Sequence, residues 1–359
     1  MGHHHSPFCD ALLAMNAPLK KSAGVALITV LLVVAAATIA AVSISSRLQV
    51  DIRRTENLLR ADQAWLHALG MESWAKSRLI EDFKNDRKEE KTQDDLKEEW
   101  VEVVEESVEG GTVQGEIIDQ QGLFNLNNLL KQPDKDSESQ QLVHSNIDIE
   151  YFKRLLNTLE LDELPEDKVD ELVNALLDWL DKDTETTLTK GIAGAEDDYY
   201  QTLEPVYNAA NRPMAHQSEL LLVKGFTLEI YRELAPLVTA LPVPILSEDR
   251  TTINVNTAKK EVLQSIYKGI TDSGADDLID TQESDAFESR TEFDEHPAVS
   301  GLNVTKTKLG SVGLDVKSSY FRVKSIVEVG RARVAVTSLI KRTDAGEAEV
   351  LHRLREDIF

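Results

Sequence analysis

Cysteine is nearly absent from this 359-residue chain: the single one, Cys9, stands near the start, so no disulfide can form within the chain. Any staple has to come from packing or from a metal. Proline is missing between Pro18 and Pro133, which leaves that stretch without the residue that stops helices most strongly. Basic residues are outnumbered, 39 Lys and Arg against 63 Asp and Glu, for a formal net charge of −24. Nucleic acid is therefore excluded as a main partner, because phosphate binding needs a basic face that displaces counterions. Catalytic signatures are lacking too: there is no Gly-x-Ser-x-Gly elbow, phosphate loop, His-Glu-x-x-His helix or CxxC pair. His67, His144, His216, His296 and His352 are scattered without metal-ligand spacing. Asp181 and Glu196 could be imagined as a glycosidase pair, but nothing supplies the rest of such a site, and no enzymatic activity is expected.

What the chain does have is an apolar run. Lys20-Lys21-Ser22-Ala23-Gly24 leads directly into Val25-Ala26-Leu27-Ile28, and the sequence stays apolar to Ile44. About 20 uncharged residues at roughly 1.5 Å rise each span a ~30 Å hydrocarbon core, which reads as a transmembrane helix. The lysines before it place the amino terminus in the cytoplasm and the bulk of the chain outside, although Arg47, Arg53 and Arg54 weaken the asymmetry. A cleavable secretory signal carries its small-residue site after the apolar region, whereas here Ala23-Gly24 precedes it, so a cut there keeps the helix. His3-His4-His5 fall within this leader. Initiation at Met15 in place of Met1 would leave a ten-residue leader ending at Gly24.

This order resembles the class III leader of type IV pilins and type II secretion pseudopilins. The resemblance implies cleavage between Gly24 and Val25 by a prepilin peptidase and methylation of the new amino terminus; an uncleaved anchor is the plain alternative. Pilin-like subunits mostly carry a glutamate at the fifth mature position, where it meets the amino terminus of a neighbour. Here that position is Thr29, which cannot form the pair. The K-type minor pseudopilins (GspK-like) share this departure, and a subunit lacking the charge loses least at a filament end.

Helix-favouring residues continue through Arg53 to Phe83 with Leu58, Ala61, Trp65, Leu66, Leu69 and Trp74 at helical spacing, so one long helix is expected, interrupted only by Gly70. Glu81 to Glu99 reads as a solvated, charge-rich loop. Trp100 to Val104 and Thr112 to Ile118 flank Gly110-Gly111 as a β-hairpin. Asp119-Gln120-Gln121-Gly122-Leu123-Phe124-Asn125-Leu126-Asn127 resembles the K-type pattern and is expected to close the sheet and turn toward the next domain; the final strands are expected at Phe321 to Val329 and Ala332 to Lys341. Sheet pieces at both ends imply an insertion. Within it, helical spacing marks Tyr151 to Leu159, Lys168 to Trp179, Ser218 to Val223, Thr227 to Ala235 and Ala258 to Ile266. Asn254-Val255-Asn256-Thr257 is expected to cap the last of these, in a helix-hairpin-helix-like use that is structural in such acidic surroundings.

Two acidic clusters, Asp178 to Asp183 and Glu196 to Asp198, would repel each other unless separated, solvated or bridged by a cation. Asp-x-Asp followed by a distant acidic pair can supply several of the oxygens a hard divalent ion needs, although the EF-hand spacing is missing. A solvated acidic loop is the simpler alternative. Asp178-Trp179-Leu180-Asp181-Lys182-Asp183, Gly194-Ala195-Glu196-Asp197-Asp198-Tyr199-Tyr200 and Asn208-Ala209-Ala210-Asn211-Arg212-Pro213 resemble the calcium-binding region of K-type pseudopilins. That resemblance implies a structural calcium ion with Asp181, Asp183, Glu196 and Asp197 as first-choice ligands and Asp198 as a further candidate.

The expected fold is α+β: a type IV pilin-like long helix packed on an antiparallel sheet, with a large, mostly helical insertion of SAM or helix-hairpin-helix character. Its parts would be a leader at 1–24, a transmembrane half-helix at 25–44, the pilin-like helix and first strands at 45–136, the insertion at 137–319 and the last strands at 320–359. Resemblance to the K-type family further implies a tip subunit of the type II secretion pseudopilus, single-pass in the bacterial inner membrane with its bulk in the periplasm. Its expected partners are the I-type and J-type minor pseudopilins, then the H-type and the major G-type. A minor pilin of a type IV pilus and an uncleaved periplasmic binding module are the alternatives.

Overall fold

The computed structural model describes residues 23–131, 143–159, 161, 164–242, 250–302 and 313–357. Cys9, His3 to His5, Met15 and the leader lysines lie outside the described residues, as does the expected boundary at 136/137. The chain divides into two units, residues 1–60 and 61–359. Helix α1, Ala23–Glu89, runs through the division. In the first unit the described residues are all helical, and their apolar side chains are exposed from Val25 to Leu59. The most apolar 18-residue window has a mean hydropathy of 2.8 with none of it buried by protein. Thr29 and Thr38 donate their hydroxyls back to the carbonyls of Ala26 and Val34, each at 2.8 Å, so neither leaves an unmade polar bond on the apolar surface.

In the second unit α1 presents a stripe of small and apolar side chains, Ala64, Ala68, Met71, Ala75 and Leu79, all buried against the sheet. Spacing of three and four residues keeps them on one face. The helix continues well past Glu81, where a loop was expected. Glu, Lys and Arg are good helix formers, and Arg87 and Lys88 complement the dipole in the last turn. The helix stops at Glu90, which takes a left-handed φ of +58°.

The sheet has five antiparallel strands in sequence order: β1 Val104–Val108, β2 Gly111–Asp119, β3 Tyr320–Val329, β4 Ala332–Arg342 and β5 Ala348–Asp357. Their inward residues alternate, as with Phe321, Val323 and Val327 on β3. Gly115 lets β2 approach α1 closely, since a Cβ there would lie 2.4 Å from the Met71 sulfur. The first strand begins four residues later than expected. Trp100 sits instead in a short 3-10 turn, buried edge-on to Phe321 at 5.3 Å with its indole N–H donated to Glu98 at 2.6 Å. Strand β5 went unanticipated because Glu349, His352, Arg353 and Arg355 give it the polar reading of an edge strand.

Strands β2 and β3 are hydrogen-bonded neighbours, with Asp119 opposite Phe321. Everything between them leaves and rejoins the sheet at one place. The intervening body contains helices α2 Asn146–Leu156, α3 Glu166–Leu180, α4 Leu228–Leu234, α5 Lys260–Ile266, α6 Asp272–Ser284 and α7 Arg290–Glu295. Ser218 to Val223, expected as a helix, is a 3-10 turn over Gln217–Leu222. The string Asp119 to Asn127 ends the paired strand at Asp119 and turns toward the inserted body, as expected, but its Gly122 to Asn127 part adds nothing to the sheet. Phe124 packs in the core of this body, 4.9 Å from Tyr151 and 5.5 Å from Phe152, and Phe124–Asn125 pairs in parallel with Val238–Thr239. Asn127 exchanges bonds with Met214 at 2.9 and 2.8 Å, and Asn128 donates to the Thr251 carbonyl at 2.8 Å.

The expected cap of α5 is replaced as well. The helix begins after Lys259, while Asn256 brackets the backbone of Phe287 with two 2.9 Å bonds, and Asn254 bonds the Asp94 carbonyl. At the other end of α5, Arg154 from α2 caps the free carbonyls of Ser265 and Ile266 at 2.7 and 2.8 Å.

Candidate metal centre

Helix α3 carries Asp178 in its last turn and ends at Asp181, whose amide closes the turn on the Leu177 carbonyl at 2.9 Å. The chain then makes a two-strand ribbon, Leu188–Thr189 with Ile192–Ala193, and returns past the helix end. Gly194 makes this return possible: a Cβ at that position would lie 2.2 Å from an Asp178 carboxylate oxygen. The return delivers Glu196 to the far end of α3.

The result is a group of three carboxylates, Asp181, Asp183 and Glu196, each offering an oxygen within 4.8 Å of the others. Asp181 and Glu196 are buried, at 5% and 6% exposed, while Asp183 is exposed. Several of the surrounding oxygens have no donor: both of Glu196, Oδ1 of Asp181, Oδ2 of Asp178 and Oδ1 of Asn211. Burial pushes the Glu196 carboxyl up to about 7, with Asp178, Asp181, Asp183 and Asp197 adding to the shift. Asp178 is raised too, chiefly by burial and despite the amides of Thr187 and Ala195. The other Asp181 oxygen meets His144 Nε2 at 2.7 Å, and that bond raises the imidazole above its ordinary value.

Asp197 and Asp198 fall outside the group. They open a single helical turn, Asp197–Tyr200, in which successive side chains point about 100° apart. Asp197 uses one oxygen to accept the Ala209 amide at 2.9 Å, and Asp198 is exposed. Sequence reasoning missed His144, and it placed Asp178 and Asn211 in the family-like strings without naming them as ligands. Asn211 takes a left-handed φ of +48° and donates its amide to the Trp179 carbonyl at 3.0 Å, which anchors it beside α3. The signal for Asp178 was present, four residues and one turn before Lys182 in the same acidic string.

Oxygen-only donors, a buried negative excess and orphaned acceptors fit a hard cation, which takes about six to eight oxygens from carboxylates, amides and carbonyls. Gly24 and Val25, the expected processing positions, lie exposed in the first turns of α1, followed by Thr29.

Residues 122–243 and 253–317 match the family described as Type II secretion system (T2SS), protein K. The Type II secretion system protein K of Aeromonas hydrophila is 34% identical over 348 residues, covering 93% of this chain and 97% of the relative. That of Pseudomonas aeruginosa is 35% identical over 333 residues, covering 92% of each. Among solved structures, a chain from the GspK-GspI-GspJ complex of the enterotoxigenic Escherichia coli type 2 secretion system superposes with a TM-score of 0.70 at 24% identity, covering 85% of this chain and 100% of that one. That likeness carries the fold: long helix, antiparallel sheet and helical insertion. The full-length similarity to the relatives carries the rest, and the chain belongs to the type II secretion system protein K family, structural components of a secretion machine and not enzymes.

Proposed function

We propose that this minor pseudopilin sits at the tip of the type II secretion pseudopilus, where it initiates and caps assembly for export of folded proteins across the outer membrane. The observation that carries this reading is the placement of the insertion between neighbouring strands β2 and β3. An inserted body of residues 120–319 is hard to repeat at every position of a tightly packed filament, whereas an end leaves room for it. Thr29 agrees, since its hydroxyl is satisfied within its own helix and offers no charge to a neighbour's amino terminus. On this reading a prepilin peptidase cuts between Gly24 and Val25, the new terminus is methylated, and the apolar part of α1 spans the inner membrane with the sheet and insertion in the periplasm. The solved GspK neighbour was crystallised with GspI and GspJ, and we assign this chain the equivalent I-type and J-type partners, with H-type and G-type subunits following.

Calcium is the cation this reading places in the acidic site. Asp181, Asp183 and Glu196 would hold it, with Asp178 and Asn211 supplying further oxygens. The ion supplies positive charge that lets these carboxylates ionise together. The chain's own residues do the positioning: α3 fixes Asp178 and Asp181, and Gly194 lets Glu196 reach them. With no disulfide available, a bound ion is the staple that fixes the loop after α3. Calcium titration followed by thermal unfolding tests this part, and an unfolding midpoint that ignores both calcium and chelator removes it. Pull-down of the I-type and J-type subunits by the membrane-extracted chain tests the assembly reading.

A further inference from the structure

Where the end of α1, the sheet and the insertion meet, acidic groups outnumber basic ones in a buried space. Asp82 from α1, with Asp94 and Glu98 from the segment after it, each place an oxygen within 4.8 Å of the others. Their side chains are 10%, 3% and 6% exposed. Asp86 and Asp95 stand close by, and among the described residues Arg342 and Lys91 are the cations paired with this group. Arg342 of β4 lies over the rings of Phe83 and Phe321, donates to Asp82 at 2.9 Å and also bonds Asp94. Lys91 bonds Glu98 at 2.5 Å and Asp95 at 3.2 Å.

The remaining charges around this place are spent elsewhere or add to the excess. On α1, Arg78 pairs with Glu99 and lies near Glu81, Arg87 lies over Phe83, and Glu89 is acidic. Lys97 donates to the Ser284 carbonyl at 2.8 Å. Asp315, Lys317 and Asp344 line the opposite cleft, and Asp119 of β2 is buried behind the Ser318 and Thr257 hydroxyls.

The same acids hold the insertion to the sheet and helix. Asp94 accepts the Ser318 amide at 2.7 Å and its own amide bonds the Val316 carbonyl at 2.8 Å. Arg342 reaches the Ser318 carbonyl at 2.9 Å, and Asn254 reaches the Asp94 carbonyl at 3.1 Å. Clefts of about 410 and 370 Å³ open on either side, so protons and water have access.

We propose that this cluster is a proton-held clasp, in which protons held on Asp82 and Glu98 beside Asp94 offset the acidic excess and fasten the insertion to the pilin-like helix and sheet. The clasp is tighter in mild acid than in mild base. Burial, with Asp86 adding to it, lifts Asp82 to about 7, and burial with Asp82 lifts Glu98 to about 8. The native state keeps protons that an unfolded chain gives up in the ordinary carboxylate range. Stability is therefore full below that range and is lost as pH climbs to between 7 and 8.

Hydrogen exchange of the full-length protein in detergent, with calcium present at pH 6 and pH 8 and corrected for intrinsic rates, tests the clasp. Amides at 91–99 and 313–320 should be at least tenfold better protected at pH 6, since the Asp82 proton alone is worth roughly that factor and the Glu98 proton adds to it. Asp82→Asn with Glu98→Gln should carry pH 6 protection to pH 8. If the double variant does not fold, Glu98→Gln alone, which spares the Asp82–Arg342 pair, should shrink the difference by more than half. Equal protection of wild type at both pH values, or an undiminished difference in a folded variant, would overturn the proposal.

Discussion

Glu72 shows how much a single buried residue holds in this chain. It lies on the sheet-facing side of α1, 6% exposed, and accepts two 2.7 Å bonds from Arg353 and one from the Ser338 hydroxyl. Burial alone would push its carboxyl up; these partners overcome that and leave it below the ordinary value. Arg353→Ala strands a buried charge, so it should cost on the order of 3 kcal/mol in denaturant unfolding, while a cost under about 1 kcal/mol would mean that the pair is solvated. At the metal site, Asp181→Ala with Glu196→Ala should abolish the calcium-dependent rise in unfolding temperature and leave membrane insertion intact. Asp181, Asp183 and Glu196 stand out in the sequence because their strings are acidic and family-like. Asn211 stands in a family-like string as well, but its place beside α3 depends on a left-handed turn that nothing in Asn-Arg-Pro announces.

Among elements, the pairing of α1 with β2 depends on Gly115, where any side chain meets Met71. Gly115→Val should destabilise by about 1–3 kcal/mol, and Met71→Ala in the same chain should recover part of the loss. The loop after α3 gives a pH prediction. With Glu196 at about 7, the metal-free loop holds a proton that the unfolded chain does not, so its stability is full below the ordinary carboxylate range and is lost as pH rises toward 7. Calcium should reverse the trend, because its ligands must be deprotonated; exchange protection of residues 181–197 with and without calcium at pH 6 and pH 8 measures both. Strands β2, β3 and β4 were legible from alternation around glycine turns. The end of α1 and strand β5 were not, since charge reads as loop in the sequence whether it covers an exposed helix face or an edge strand.

The whole molecule is an apolar helix, a pilin-like sheet and an insertion that departs from one strand and returns on the next. The strands that flank the insertion, β2 and β3, could be read from the sequence. That Phe124 to Leu130 belongs to the inserted body depends on contacts with Tyr151, Met214 and Val238 that no local pattern shows. Peptidase-dependent conversion to a mature start at Val25 is expected in membrane extracts. Thr29→Glu should restore the internal docking charge and let the subunit appear away from the tip.

Labelling of assembled pseudopili with a probe directed at the insertion would locate the subunit within the filament. Signal at one end of each filament is the predicted result; signal distributed along the length would contradict a tip subunit.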